Sequence, residues 1–286
     1  MKELEELCRL ICLPEEVQAQ VLAFSREFDF SKVSDTLEKL FDPDTWETGL
    51  RELKGILGED ERGIGMLSCM LFCALKTHRR YQELGIGENI FIDTMKAFTR
   101  FVKEHRVSYG CYGFDREWWT VRQLSLKLFR IGELEYECSK SAPVSLGASA
   151  GEGEASPCIY LHIPSDARLL SPLLAASYRD AKQFFARFFP EYSSVELYCE
   201  SWLLSPALKE ALPESSNILK FQKAFLLQSI HPESDSYLEW VFKRRNRPVN
   251  EELPEDTSLQ KNLKRYVLSG GKVGEGIGML RPEGFL

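Results

Sequence analysis

The spacing of apolar residues changes once along this chain, near residue 117, and this change limits the folds that it can adopt. Before that point apolar residues recur every three or four positions, which places them on one face of an α-helix. After it, several short segments alternate apolar with polar residues, as half-buried β-strands do. The sequence therefore predicts an α+β (mixed α/β) protein, with a helical bundle over residues 1–117 and a domain with a mixed central sheet over residues 118–286.

The helical period is clearest in three segments of the first part. They are Val17–Phe28, Trp46–Leu57 and Phe91–Val102. Ile64–Leu75 is the longest apolar stretch without a charge, and it is far shorter than the roughly 20 residues that span a bilayer. We therefore expect a buried helix there, and no membrane partner.

The second part predicts a defined order of elements. The order is a hairpin over Phe129–Glu137, a strand over Cys158–Ile163, a helix over Ser171–Phe189, a strand over Val195–Trp202, a short helix after Pro206, strands over Phe225–Ile230 and Tyr237–Phe242, and a helix over Ser258–Leu268. Residues 139–157 are rich in Ser, Ala and Gly and predict a surface loop. The glycine-rich segment Gly270–Gly278 lacks the flanking strand and helix of a phosphate-binding loop, so we interpret it as a helix end followed by a flexible or closing segment.

Composition restricts the class of partner. The chain has 286 residues, which corresponds to two domains of roughly 150 residues each. It is 44% hydrophobic and 28% charged, as ordinary globular proteins are, and its formal net charge is −7. A mildly acidic chain offers no large basic surface for nucleic acid, so none is expected as a partner.

The N-terminus predicts a reducing compartment, and in such a compartment the cysteines are not expected to form a disulfide framework. The first residues carry acids where a secretory signal has a basic and then an apolar segment, so we expect a cytoplasmic location. Of the eight cysteines, Cys8 with Cys12 and Cys69 with Cys73 are spaced four apart. No histidine accompanies them at zinc-ligand spacing, so we interpret both pairs as small core residues and predict no metal site.

Four motifs, together with the order of elements, carry a resemblance to a known family. They are Leu128-Phe-Arg-Ile-Gly-Glu-Leu-Glu-Tyr-Glu137, Leu161-His-Ile-Pro164, Ser201-Trp-Leu-Leu-Ser-Pro206 and Ser216-Asn-Ile-Leu-Lys-Phe221. The chain resembles a bacterial family of acyltransferases with a helical N-terminal domain and a GNAT-like C-terminal domain. The resemblance implies transfer of an acyl group, expected to be acetyl, from acyl-CoA to a small-molecule or peptide amine. Acyl-CoA would be the co-substrate, and no metal would be needed.

The resemblance also implies a coenzyme A site where the central strand turns into the long helix. Backbone donors would come from the strand end and from the helix N-terminus, which attracts phosphate. The matching residues are Ile163, Ser165, Asp166, Ala167, Arg168 and Leu169. This turn lacks the glycines of the GNAT pattern, and Asp166 would bring a carboxylate near the phosphates. Arg168 could offset that charge as a phosphate donor; alternatively, Asp166 caps the helix and Arg168 is an ordinary surface residue.

Four residues are candidates for proton transfer. His162 on the central strand could act as a general base, or could be a core histidine satisfied by a neighbour. Glu135 and Glu137 share one face of their strand and could take the amine proton, although an exposed strand face explains them equally well. Tyr198 on the next strand is a candidate because a tyrosine near the thioester sulfur is the usual acid of the GNAT proteins that the chain resembles. Those proteins often place it on the short helix that follows, which contains no tyrosine here, so the sequence leaves the acid unassigned.

Three further residues recur in the resembled family and are candidate substrate contacts. They are Ser201, Trp202 and Asn217. Packing is the alternative for Trp202, and helix capping is the alternative for Asn217. The basic run Lys243–Arg247 is interpreted as a solvated turn or, alternatively, as a contact for phosphate or an acidic substrate. The leading hypothesis is thus a GNAT-type acyltransferase, and the alternative is a non-catalytic ligand-binding or protein-interaction module with the same fold.

Overall fold

The computed structural model describes residues 1–143, 156–243 and 249–284. These residues form two compact units, and the division falls between Arg130 and Ile131. Most of the predicted loop over residues 139–157, and the basic run after Lys243, lie outside the described residues.

The first unit is helical. Its helices are α1 (Lys2–Leu10), α2 (Glu15–Glu27), α3 (Ser34–Glu38), α4 (Trp46–Leu57), α5 (Ile64–Leu84), α6 (Glu88–Tyr109) and α7 (Glu117–Leu124). Helix α5 packs against α1, α2, α4, α6 and α7, so it is the centre of this bundle. Its first turn is held by Asp60, whose carboxylate accepts from the backbone N–H groups of Gly65 and Met66 at 3.1 and 2.8 Å.

The predicted helices of this unit are confirmed, including the buried helix that starts at Ile64. Cys8, Cys69 and Cys73 are buried, as predicted. The prediction is wrong for Cys12, which is exposed. Helix α1 ends before that residue, at Leu10, and Cys12 itself has a left-handed φ of 57°, so the helical spacing does not continue to it.

A six-stranded mixed sheet forms the centre of the second unit, and the division between the units falls within its first strand. Its strands are β1 (Leu128–Ile131), β2 (Leu134–Ser139), β3 (Cys158–His162), β4 (Leu197–Ser201), β5 (Phe225–His231) and β6 (Glu275–Leu280). The order across the sheet is β1-β2-β3-β4-β6-β5. Strands β3 and β4 are parallel, whereas the pairs β2–β3, β4–β6 and β5–β6 are antiparallel. The mixed α/β fold predicted from the sequence is confirmed.

Helices cover this sheet and connect its strands. They are α8 (Ser171–Phe188), α9 (Leu208–Ala211), α10 (Asn217–Gln222), α11 (Ser236–Phe242) and α12 (Ser258–Leu268). A buried relay joins α8 to the hairpin: the Tyr136 hydroxyl donates to Ser177 Oγ at 3.0 Å, and Ser177 Oγ donates to the Ile131 carbonyl at 2.5 Å. This relay fixes α8 over one face of the sheet. No helix in the described residues is long and apolar enough to cross a membrane.

The prediction of a strand over Tyr237–Phe242 is wrong, because these residues lie in helix α11. The buried residues are Tyr237, Leu238, Val241 and Phe242, which is a helical spacing. A short run of aromatic and branched residues does not by itself distinguish a strand from a buried helix.

The last strand comes from the glycine-rich segment instead. Strand β6 lies between β4 and β5, and two of its glycines admit close neighbours. A Cβ atom on Gly276 would lie 2.9 Å from the Leu204 carbonyl oxygen. A Cβ atom on Gly278 would lie 2.9 Å from Leu204 Cδ1. The glycines therefore allow the chain around Leu204 to pack directly onto the sheet.

Candidate functional site

The central parallel strands separate after two residue pairs. Ile159 pairs with Leu197 and Tyr160 with Tyr198, and there the β3–β4 ladder ends. Beyond that point β3 continues beside β2, while β4 pairs with β6 on its other side. We call this region without pairing at the carboxyl ends of β3 and β4 the opening. Open α/β sheets bind ligands at that position.

A histidine and a carboxylate meet beside this opening. His162 Nε2 lies 2.7 Å from Glu137 Oε2, and both side chains are about one-fifth exposed, at 21% and 19%. In the β2–β3 register Glu137 faces Tyr160, and His162 faces Glu135, so the contact is a diagonal one on a single face of the sheet. The two side chains thus form a hydrogen-bonded pair, which we call the acid–base pair.

Two tyrosines stand on the same face, on the last β3–β4 pair. The rings of Tyr160 and Tyr198 have centroids 6.5 Å apart. The Tyr198 hydroxyl donates to the Glu196 carboxylate. Burial, and for Tyr198 also this carboxylate, raises the pKa of each phenol to about 12. Both phenols are therefore protonated at neutral pH.

Three of these residues were candidates from the sequence, and the fourth was not. His162, Glu137 and Tyr198 were each candidates, and the structure places them along one face of β2, β3 and β4. Glu135 shares that face but is buried, with 2% exposure. Tyr160 was missed, although it lies two positions before His162 on a strand and must point to the same side.

The turn before α8 does not present all of its predicted phosphate donors. The Arg168 backbone N–H donates to Glu133 Oε2 at 2.7 Å, and its guanidinium donates twice to Glu133 Oε1, at 3.1 and 2.9 Å. The Ala167 N–H donates to the Pro164 carbonyl at 2.9 Å. Ser165 and Asp166 are exposed, whereas Ile163 and Leu169 are half-buried. Asp166 does not cap α8, which starts five residues further on.

The N-terminus of α8 borders a cavity that also contains a lysine. Leu170 is its N-cap residue and supplies no side-chain hydrogen bond, and the first turn contains no acidic residue. A cavity of about 350 Å³ opens directly beside this turn. It is lined by Leu169, Ser171, Pro172, Leu174, Ala175, Lys220, Phe221 and Gly284. Lys220 is the cation among these otherwise neutral residues, and sequence reasoning did not single it out.

The three predicted substrate contacts lie on the segment that follows β4. The Ser201 side chain accepts from the Leu203 backbone N–H at 3.1 Å and so caps a short 3-10 helix. Trp202 is buried, with 8% exposure. Asn217 is exposed and is the first residue of α10, whose cap is the neighbouring Ser216.

A mixed sheet whose two parallel strands are joined through a long helix is the arrangement expected of a GNAT-type acyltransferase. Residues 2–126 match the N-acyltransferase N-terminal domain, and residues 128–280 match the GNAT-like C-terminal domain. The chain therefore belongs to this two-domain N-acyltransferase family, which confirms the resemblance read from its motifs.

Solved structures of acyltransferases share this fold. An acyltransferase in complex with decanoyl-CoA and teicoplanin superposes with a TM-score of 0.78 at 23% identity, over 98% of this chain and 88% of that chain. An acyltransferase mutant in complex with octanoyl-CoA gives a TM-score of 0.79 at 23% identity, with the same coverage of both chains. Among curated proteins, none is significantly similar to this chain.

Proposed function

We propose that this chain transfers an acyl group from acyl-CoA to an amine acceptor. The observation that carries the proposal is the Glu137–His162 contact of 2.7 Å beside the opening between β3 and β4. An amine must lose a proton when it attacks a thioester, and an imidazole paired with a carboxylate is suited to take that proton. Family membership supports the same reaction class.

Two sets of residues, one at the opening and one at the cavity beside α8, fit coenzyme A. Within the described sheet, the β3 backbone beyond Tyr160 is not paired with β4, so its polar groups can bond the amides of pantetheine. The α8 N-terminus and Lys220 supply partial and full positive charge for phosphate beside the cavity. Leu169, Leu174 and Phe221 supply apolar wall.

The proposed roles of the paired residues follow from their contact. His162 takes the proton of the attacking amine, and Glu137 stabilises the imidazolium that results. The other residues named from the sequence remain candidates for contacts to substrate or coenzyme A. They are Glu135, Ile163, the turn from Ser165 to Arg168, and the three predicted substrate contacts. Because acyl-CoA is an intracellular metabolite, we propose that the protein acts in the cytoplasm.

The acyl group and the acceptor are best sought with two sets of compounds. Acetyl-CoA is the donor expected from the sequence, and the solved neighbours bind octanoyl- and decanoyl-CoA. One neighbour also binds teicoplanin, so amine-bearing glycopeptides belong in the acceptor panel beside simple amines.

The test uses the full chain in two steps. Calorimetry with acetyl-, octanoyl- and decanoyl-CoA measures binding, and release of free coenzyme A thiol in the presence of each amine measures transfer. We expect binding of at least one donor, and amine-dependent thiol release that His162→Ala abolishes. Absence of binding to every donor would overturn the proposal.

A non-catalytic binding module is the second candidate, and the Arg168–Glu133 contact favours it. Glu133 occupies both the backbone N–H and the guanidinium of a residue expected to bind phosphate. Coenzyme A binding without thiol release, across the whole amine panel, would support this module instead.

A further inference from the structure

A carboxylate of the chain itself occupies the turn before α8. Glu133 Oε2 accepts from the Arg168 backbone N–H at 2.7 Å, and Glu133 Oε1 accepts from Arg168 Nε and Nη2 at 3.1 and 2.9 Å. A backbone N–H group and a guanidinium that converge on the oxygens of one anion are donors that proteins use to bind phosphate. Glu133 therefore fills an anion site in this turn with an anion that belongs to the protein.

The β1–β2 hairpin fixes the backbone of Glu133 beside the turn. The connection has only two residues, Gly132 and Glu133, between Ile131 at the end of β1 and Leu134 at the start of β2. Gly132 has a φ of 63°, and a Cβ atom there would lie 3.1 Å from Cβ of Ser177 in α8. The tip of the hairpin thus lies directly against α8, so only the side chain of Glu133 can move away from the turn.

The two partners of this contact differ in exposure. The Arg168 side chain is 68% exposed, whereas that of Glu133 is 12% exposed. An anion from solvent can therefore reach the guanidinium, but it has to displace the carboxylate before it can accept from the backbone N–H. The apparent affinity of such an anion is reduced by the fraction of molecules in which the site is free of Glu133.

We propose that Glu133 is an internal competitor for phosphate, which coenzyme A displaces from Arg168 when it binds. This inference rests on the proposed binding of acyl-CoA and adds a specificity-determining residue to it. Displacement of Glu133 weakens the binding of every phosphate ligand at this turn by the same factor. Coenzyme A has further contacts, through pantetheine at the opening, that offset the loss, whereas inorganic phosphate and pyrophosphate have none. Glu133 thus excludes free phosphates from the site.

The test measures the binding of inorganic pyrophosphate, coenzyme A and pantetheine by calorimetry. Glu133→Gln keeps the shape of the side chain and removes its charge. We expect this variant to bind pyrophosphate and coenzyme A about tenfold more tightly than the wild type does. Pantetheine lacks the nucleotide phosphates and should bind both proteins equally. In the Glu133→Gln background, Arg168→Ala should remove both gains, because the guanidinium that was set free is then absent.

A matched control is Glu52→Gln in the helical unit. Lys39 Nζ donates to both carboxylate oxygens of Glu52, at 2.6 and 2.7 Å. The control variant therefore breaks a similar ion pair and changes the net charge by the same amount, and it should leave all three Kd values unchanged. Glu133→Ala should give the same gains as Glu133→Gln, so the test does not depend on a single variant.

The outcomes separate this proposal from the function on which it rests. Unchanged or weaker binding of pyrophosphate and coenzyme A by both Glu133 variants would overturn the proposal, because Glu133 would then only position Arg168. Equal gains in Glu52→Gln would also overturn it, since net charge would explain them. Absence of coenzyme A binding by the wild type and by every variant would overturn the proposed function. A gain in pyrophosphate binding would still support Glu133 as the competitor in that case.

Discussion

His162 Nε2 and Glu137 Oε2 lie 2.7 Å apart on neighbouring antiparallel strands, at the edge of the opening between β3 and β4. A second pair of the same composition exists in the helical unit, where His78 Nε2 lies 2.7 Å from Glu88 Oε2. The two pairs have the same contact distance and differ in their surroundings. That difference allows the first prediction to be controlled within one chain.

The acid–base pair should govern turnover. His162→Ala is expected to lower kcat by about a hundredfold to ten-thousandfold, because the amine proton loses its acceptor. Glu137→Gln should cause a smaller loss, because an amide still contacts the ring but does not stabilise its charge. Steady-state thiol release measures both. His78→Ala should leave kcat unchanged, and an equal loss in that variant would show that the effect is structural.

Phosphate recognition should depend more on Lys220 than on Arg168. The Arg168 guanidinium already donates twice to Glu133, whose side chain is only 12% exposed, whereas Lys220 lines the cavity beside the α8 N-terminus. We expect Lys220→Ala to raise the Kd for coenzyme A by about tenfold, and Arg168→Ala to raise it by less than about threefold. Calorimetry measures the Kd values. Pantetheine lacks the nucleotide phosphates and should bind both variants as it binds the wild type; a reversed order of the two variants would contradict the assignment.

The packing of β6 should not accept a side chain. Gly276→Ala brings a Cβ atom to 2.9 Å from the backbone oxygen of Leu204, which does not move easily, and is expected to lower the free energy of unfolding by about 1–3 kcal/mol. Gly55 in α4 has nothing within 4 Å of the same position. Gly55→Ala should raise the free energy of unfolding by about 0.5–1 kcal/mol. Urea denaturation distinguishes the two, and equal shifts would refute the packing argument.

Alkaline pH should destabilise the protein through its buried thiols. Burial raises the pKa of Cys69 from 9.0 to about 12. Because the folded pKa is the higher one, the contribution of the protonated thiol to stability is complete below pH 9 and is lost as the pH rises toward 12. Urea unfolding from pH 8 to 11 should show a smaller decline in Cys69→Ala than in the wild type. Cys12→Ala, at an exposed position, should decline as the wild type does.

The elements that could be predicted were those with a periodic apolar pattern over many residues, or with capping residues at their ends. Helix α12 occupies the predicted range, Ser258–Leu268, with a capping box formed by Thr257 and Gln260. The segment over Tyr237–Phe242 has only six residues, so a strand period and a buried helix face were not distinguishable. Strand β6 was not predicted because a glycine-rich segment is typical of a turn. The close approach of Leu204 is the reason that glycines are needed in this strand.

The positions of candidate site residues could be predicted where they depend on a single strand. The alternation of residues along β2 and β3 indicated that Glu137 and His162 could each face a binding site. Their contact depends on the register between the two strands, which the local sequence does not determine. Lys220 lies far along the chain from Leu169 and reaches the same cavity only through the fold. The engagement of Arg168 by Glu133 is likewise a tertiary contact.

The position of β6 has a consequence for how this domain is made. Strand β4 pairs with β6 through Tyr198 and Met279, and β5 also pairs only with β6 in the described sheet. During synthesis, therefore, β4 and β5 leave the ribosome before β6. The edges that pair with β6 keep unpaired backbone groups until residues 275–280 are made. The half of the sheet formed by β4, β6 and β5 should therefore form last. Nascent chains halted before Glu275 should be bound by chaperones and degraded by proteases more than longer chains are.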